Sequence, residues 1–317
     1  MSIALRCTGM MKRYPGFQLG PIDLELETGV SLGLVGPNGA GKTTAMHCLT
    51  GLVRPEHGER EICGTPVSAG DPGWKADVAY VKVRQAYFEK WSGARNLAFL
   101  SQFYPRWSAT MADELARRLQ LPLDKRVRDL SRGNRVKLGI VAAVAAGPRL
   151  LLLDEPTAGL DPVVRDDVLG VLFDLLEQGD CAICYSTHIL SDIARLADDL
   201  AFLVDGQIVV RATIADLVEA WRSITCRLPD DAPGSSSDEL TGAGSGDLPG
   251  HPSGVLSHLT GVVVHERSGA DNRIISCDGE ATIAQLAELG AQHIRPTTMS
   301  GEEIALQILK RGVSCGD

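Results

Sequence analysis

The chain has 317 residues, 44% of them hydrophobic, and a formal net charge of −9. That apolar content is enough to fill a core and excludes wholesale disorder, and the length fits one large domain or two ordinary ones. The negative charge argues against nucleic acid as the main partner and accords with plain solubility.

In chain order, Met1 to Arg6 lack the basic start and long apolar core of a signal peptide. Val30 to Val35 predict a buried strand. The next residues are Gly36-Pro37-Asn38-Gly39-Ala40-Gly41-Lys42-Thr43-Thr44, which fit G-x-x-x-x-G-K-[ST], the phosphate-binding P-loop. Its glycines permit backbone conformations that a Cβ forbids, so a row of N–H groups can cradle the phosphates of a nucleotide. Lys42 would lie against the β- and γ-phosphates, and the Thr43 hydroxyl would bind Mg²⁺. Thr44 to Thr50 predict a helix closed by Gly51, its positive end aimed at the phosphates.

A helical block is predicted over about 92–147, with helices at 94–104, 109–120 and 131–146 separated by proline-bearing loops. The best membrane-spanning candidate, residues 138–153, is short and broken by Gly147-Pro148-Arg149. Any work at a membrane therefore needs another chain to span it. Leu150-Leu151-Leu152-Leu153-Asp154-Glu155 reads as a buried strand ending in two acids. Such a strand delivers carboxylates to the sheet edge where α/β folds bind ligands. Asp154 would hold Mg²⁺, and Glu155 would polarise the attacking water as general base for in-line displacement at the γ-phosphate.

Residues 163–178 have helical apolar spacing, stopped by Gly179. Cys181 to Ser186 predict another buried strand, whose period of two sends Cys181 and Cys184 to opposite faces. The eight cysteines show no paired metal-knuckle spacing and read as small buried hydrophobes in a reducing cytoplasm. Asp205-Gly206 between apolar runs marks a hairpin. A Gly-, Ser-, Pro- and Asp-rich stretch then predicts a flexible linker over 221–254. The tail, 255–317, predicts a strand pair, a helix at 281–289, and a last helix opened by a Ser300–Glu303 capping box.

These segments together resemble the nucleotide-binding subunit of an ABC transporter. Residues 36–44 match its Walker A loop and 150–155 its Walker B strand. Leu130-Ser131-Arg132-Gly133-Asn134 stands where the family has an LSGGQ-type signature. Pro156 to Asp161 resemble the D-loop, and Tyr185-Ser186-Thr187-His188 the switch-histidine segment. The resemblance implies an α/β P-loop NTPase cassette of the ABC type over 1–220, with its helical subdomain, and a small C-terminal α+β domain over 255–317.

It also implies ATP and Mg²⁺ as cofactors, and a head-to-tail dimer, homomeric or heteromeric. In that dimer Ser131 and Gly133 close over the ATP of the second protomer. His188 would hydrogen-bond the γ-phosphate, Asp161 would couple the two sites, and Tyr14, with Phe17 as rival, would stack on adenine. The family's Mg²⁺-contacting glutamine aligns with Val83, and Gln85, two residues on, is the candidate to replace it, an assignment left open by the sequence. The expected function is ATP hydrolysis coupled to a separate membrane permease, for export, by a cytoplasmic protein peripheral to the inner face of the cell membrane. The alternatives are an ABC-type ATPase with a non-membrane partner, such as DNA or ribosomes, and a nucleotide kinase. The single cassette without sustained heptads disfavours the first. The signature and D-loop have no role in the second.

Overall fold

In the computed structural model, which describes residues 2–68, 72–82, 86–229 and 259–311, the apolar runs of the sequence lie side by side as parallel strands. The chain divides into two units, Met1–Arg211 and Ala212–Asp317. Up to that border the elements are β1 (Ile3–Tyr14), β2 (Phe17–Glu27), β3 (Ser31–Val35), α1 (Lys42–Leu49), β4 (His57–Ile62), β5 (Thr65–Pro66), β6 (Val78–Val81), α2 (Gly93–Leu100), α3 (Ala109–Arg118), α4 (Arg132–Ala145), β7 (Leu150–Asp154), α5 (Pro162–Glu177), β8 (Ala182–Thr187), α6 (Leu190–Leu196), β9 (Asp199–Val204) and β10 (Gln207–Thr213).

Among the described residues one sheet has the order β2-β1-β4-β5 and the other β10-β9-β3-β8-β7-β6. In the second, β9, β3, β8, β7 and β6 run parallel. Every residue of β3, β7 and β8 is buried, because helices cover both faces. The period of two sorts the side chains between two cores. Leu150, Leu152 and Cys184 pack with Ala45, Met46 and Leu49 of α1. Leu151, Leu153 and Tyr185 pack with Leu138 and Val141 of α4 and Val168 and Leu172 of α5. Cys181 joins the second core and Cys184 the first, on opposite faces as the spacing predicts. Each fully buried leucine contributes roughly 2 kcal/mol by area. The apolar stretch at 138–153 is split between α4 and β7, and among the described residues no helix is long and apolar enough to cross a membrane.

The second unit holds α7 (Ile214–Ala220), β11 (Arg222–Arg227), β12 (Val262–Ser268), β13 (Asp271–Ser276), α8 (Gly279–Glu288), β14 (Gln292–Thr298) and α9 (Gly301–Arg311), with sheet order β12-β13-β11-β14. Two boundaries differ from the sequence expectation. The helix at 214–220, expected within the first domain, belongs to this unit, and the start of the linker expected over 221–254 is instead the strand β11. The reason is β11's short alternation. Ile224 and Cys226 are 0% and 2% exposed, while Thr225 and Arg227 face outward, so composition alone reads as polar. Its partners, β13 and β14, are distant in sequence. The rest of that linker, 230–254, lies outside the described residues. The Ser300–Glu303 capping box forms: the Ser300 N–H donates to Glu303 at 2.8 Å and the Glu303 N–H to the Ser300 hydroxyl at 3.3 Å.

Candidate functional site

Because β3, β7 and β8 are parallel neighbours, their carboxyl ends share one edge of the sheet. The loop after β3 therefore meets Asp154 and Glu155 after β7 and His188 after β8. At Gly36 a Cβ would lie 2.4 Å from the Leu203 carbonyl oxygen, so only glycine fits. Gly41 caps α1 with φ +105°, and a Cβ there would meet the Phe17 ring at 2.7 Å. Pro37, Asn38 and Gly39 are exposed, while Ala40 is buried beneath them.

Lys42 and Thr43 open α1 and point into this edge. The Lys42 ammonium, 6% exposed, donates to the carbonyls of Gly36 at 2.8 Å and Pro37 at 3.1 Å, and lies 3.4 Å from Glu155 Oε1. The Thr43 hydroxyl donates to Asp154 Oδ2 at 2.8 Å, and the Ser186 hydroxyl to Asp154 Oδ1 at 2.7 Å. Glu155 has φ +49°, a left-handed conformation costing about 1–3 kcal/mol in a non-glycine residue. Ser186 holds it there: its hydroxyl and carbonyl accept the Glu155 N–H at 3.0 and 3.2 Å. The twist brings the Glu155 carboxylate to 3.1 Å from His188 Nδ1 as well as to Lys42. A carboxylate gripped between two donors beside a phosphate loop can take a proton from water and stay oriented.

Among the described residues no group of three or more His, Cys, Asp or Glu could hold a metal. Thr43 and Asp154 offer instead a hydroxyl and a carboxylate, the sparse protein set of a hard cation whose other ligands are phosphate and water. Tyr80 stands beside them on β6. Its hydroxyl is buried without a close partner, and burial, then the Asp154 charge and a loose hydrogen bond to it, push its pKa up.

The signature segment is built as a helix start. Ser131 caps α4, its hydroxyl accepting the Asn134 N–H at 3.2 Å, and Gly133 leaves room for Val164. Arg132 reaches across to the Ala158 carbonyl at 2.7 Å and covers Gly159. Asp161 caps α5 by accepting the N–H groups of Val163 and Val164 at 3.1 and 3.0 Å. Its carboxylate thus has a local job beside the coupling expected of it.

Tyr14 ends β1 on the surface, 42% exposed, with the Lys12 ammonium 5.6 Å above its ring. Its rival Phe17 lies against the phosphate loop at Gly41. Gln85 lies outside the described residues. Sequence reasoning missed Asp192, which is 1% exposed. It binds the Thr157 hydroxyl and Arg165, whose guanidinium also reaches Ser191, so the segments after Glu155 and His188 are tied together. The one available signal was an acid four residues after His188, a helical spacing. It missed Ser186 and Tyr80 too. Each stands on a buried strand, where the period of two aims it at the face that carries Asp154.

A loop that can cradle phosphate, next to a carboxylate that can activate water, defines the class of P-loop nucleoside triphosphatases. The sequence pattern of the ABC transporter family matches residues 19–158. The ABC transporter ATP-binding protein YtrB of Bacillus subtilis is 32% identical over 213 residues, 67% of this chain and 73% of the relative. The daunorubicin/doxorubicin resistance ATP-binding protein DrrA of Streptomyces peucetius is 28% identical over 309 residues, 94% of this chain and 88% of the relative. A solved ATP-binding subunit of an ABC transporter superposes with a TM-score of 0.63 at 26% identity, over 68% of this chain and 92% of its own. The chain belongs to the ATP-binding proteins of the ABC transporter family, and it is an ATPase.

Proposed function

We propose that this ATPase works as a head-to-tail pair on a separate membrane permease and drives export. The observation that carries the reading is the signature helix. Its capped N-terminus at Ser131 is exposed, and among the described residues no hydrogen bond or ion pair joins it to the Lys42–Glu155–His188 group. A helix start with free N–H groups suits an anion, and a triphosphate bound on a second copy fits that end.

In this reading the P-loop N–H groups and Lys42 hold the β- and γ-phosphates. Thr43 and Asp154 hold Mg²⁺, which would neutralise phosphate charge. Glu155 takes the proton of the attacking water, and His188 keeps that carboxylate in place while contacting the γ-phosphate. Ser131 and Gly133 of the other copy close the site. Export is favoured by DrrA, a relative named for drug resistance whose match extends over nearly the whole chain. The protein then sits at the inner face of the membrane through its partner.

The test is affinity capture from detergent-solubilised membranes. A stoichiometric polytopic protein is expected. Capture of soluble partners alone, such as ribosomes, contradicts the permease reading.

A further inference from the structure

The buried Tyr80 hydroxyl makes no close hydrogen bond; the Asp154 carboxylate beside it is a loose acceptor. Buried polar groups nearly always find a partner, so this one calls for a reason. The sheet explains its place. β6 pairs in parallel with β7, setting Tyr80 opposite Leu152. Tyr80 packs against the core that contains Leu152, Met46 and Leu49, and its ring meets His47 of α1 edge-on at 6.0 Å. Asp154 follows Leu152 by two residues and turns to the same face, where Thr43 meets it. The phenol therefore ends at the rim of the Thr43–Asp154 pair. Both Asp154 oxygens already accept at close range, from Thr43 and Ser186, and the phenol holds the carboxylate only loosely. Tyr185 also has an unpaired buried hydroxyl, but it packs in the core on the other face of the sheet, away from this pair.

We propose that Tyr80 is a positioning residue of the cation site, its O–H donating to the oxygens that a divalent cation gathers at Asp154. The inference rests on the reading of Thr43 and Asp154 as the cation's protein ligands. Mg²⁺ and Mn²⁺ keep several waters, so an outer donor has oxygens to hold. Such donors orient the ligands, and losing one typically weakens metal binding about 10–100-fold.

The experiment is Tyr80→Phe in the full chain, which removes one oxygen and keeps the ring. Mn²⁺ is titrated into the protein–ADP complex and free Mn²⁺ is read by electron paramagnetic resonance. The Mn²⁺ Kd is expected to rise about tenfold, while ADP binding in EDTA stays unchanged. The Tm in EDTA is expected to hold or rise, because the buried hydroxyl that is removed makes no close hydrogen bond. A Mn²⁺ Kd equal to that of the parent overturns the proposal. So does a drop in Tm, which would mean that the hydroxyl serves the fold. Thr43→Ala is measured in parallel. If it weakens Mn²⁺ binding and Tyr80→Phe does not, only the Tyr80 assignment falls. If neither does, the Thr43–Asp154 reading falls with it.

Discussion

Replacing Asp192 by alanine tests whether the segments after Glu155 and His188 form one body. The carboxylate is 1% exposed and holds Arg165 through Nε at 2.6 Å and the terminal nitrogen at 2.5 Å, besides the Thr157 hydroxyl. Removing one partner of a buried ion pair costs about 3–5 kcal/mol. Arg165 keeps 25% side-chain exposure, so water recovers part of that, leaving about 2–3 kcal/mol. In a unit of roughly 200 residues each kcal/mol lowers Tm by about 2–4 °C, so a fall of roughly 5–10 °C is expected. Thr157 lies two residues past Glu155, and α6 begins two residues past His188. Loosening both should misplace base and histidine, and kcat should fall about tenfold or more with the KM for ATP little changed. Differential scanning fluorimetry and steady-state ATPase assays read the two effects. A double-mutant cycle with Arg165→Ala isolates the pair. Additive losses, or a Tm within about 1 °C of the parent, would refute the reasoning.

Gly36→Ala is expected to weaken nucleotide binding by at least about tenfold, because its Cβ would meet the Leu203 carbonyl at 2.4 Å and the loop must shift; fluorescent ATP titration checks it. Burial pushes the thiols of Cys7, Cys181 and Cys184 up to about 12, so iodoacetamide should leave them unmodified in the native protein even at roughly pH 9. Half-buried Cys63 should label first among the described cysteines, as peptide mass mapping would reveal. The Ser300 N–H and hydroxyl hold the Glu303 carboxyl below its ordinary 4.5. A depressed folded-state pKa means stability that is present above 4.5 and lost as pH falls through the lower folded value. Glu303→Gln should flatten that part of an acid titration followed by circular dichroism.

The sequence shows its site where the chemistry is local. Residues 31–44 and 150–155 each carry strand, turn and reactive group within one short run, so their placement could be read directly. Ser131 was legible as a cap for the same reason. What joins them was not. The left-handed twist of Glu155 depends on Ser186, 31 residues away, and Asp192 meets Thr157 across 35 residues. Tyr80 reads as an ordinary strand aromatic until β7 lies beside it. β11 escaped notice because two buried side chains among six make too weak an alternation without β13 and β14 to pair with.

The decisive measurement is the solution mass of Glu155→Gln by light scattering, with ATP and Mg²⁺ and with ADP. With the proposed base amidated, ATP should persist in the proposed shared site, giving twice the monomer mass with ATP and the monomer mass with ADP. A variant that binds ATP yet keeps the monomer mass at every nucleotide, also when the proposed permease and any partner ATPase are supplied, contradicts a site completed by a second signature helix.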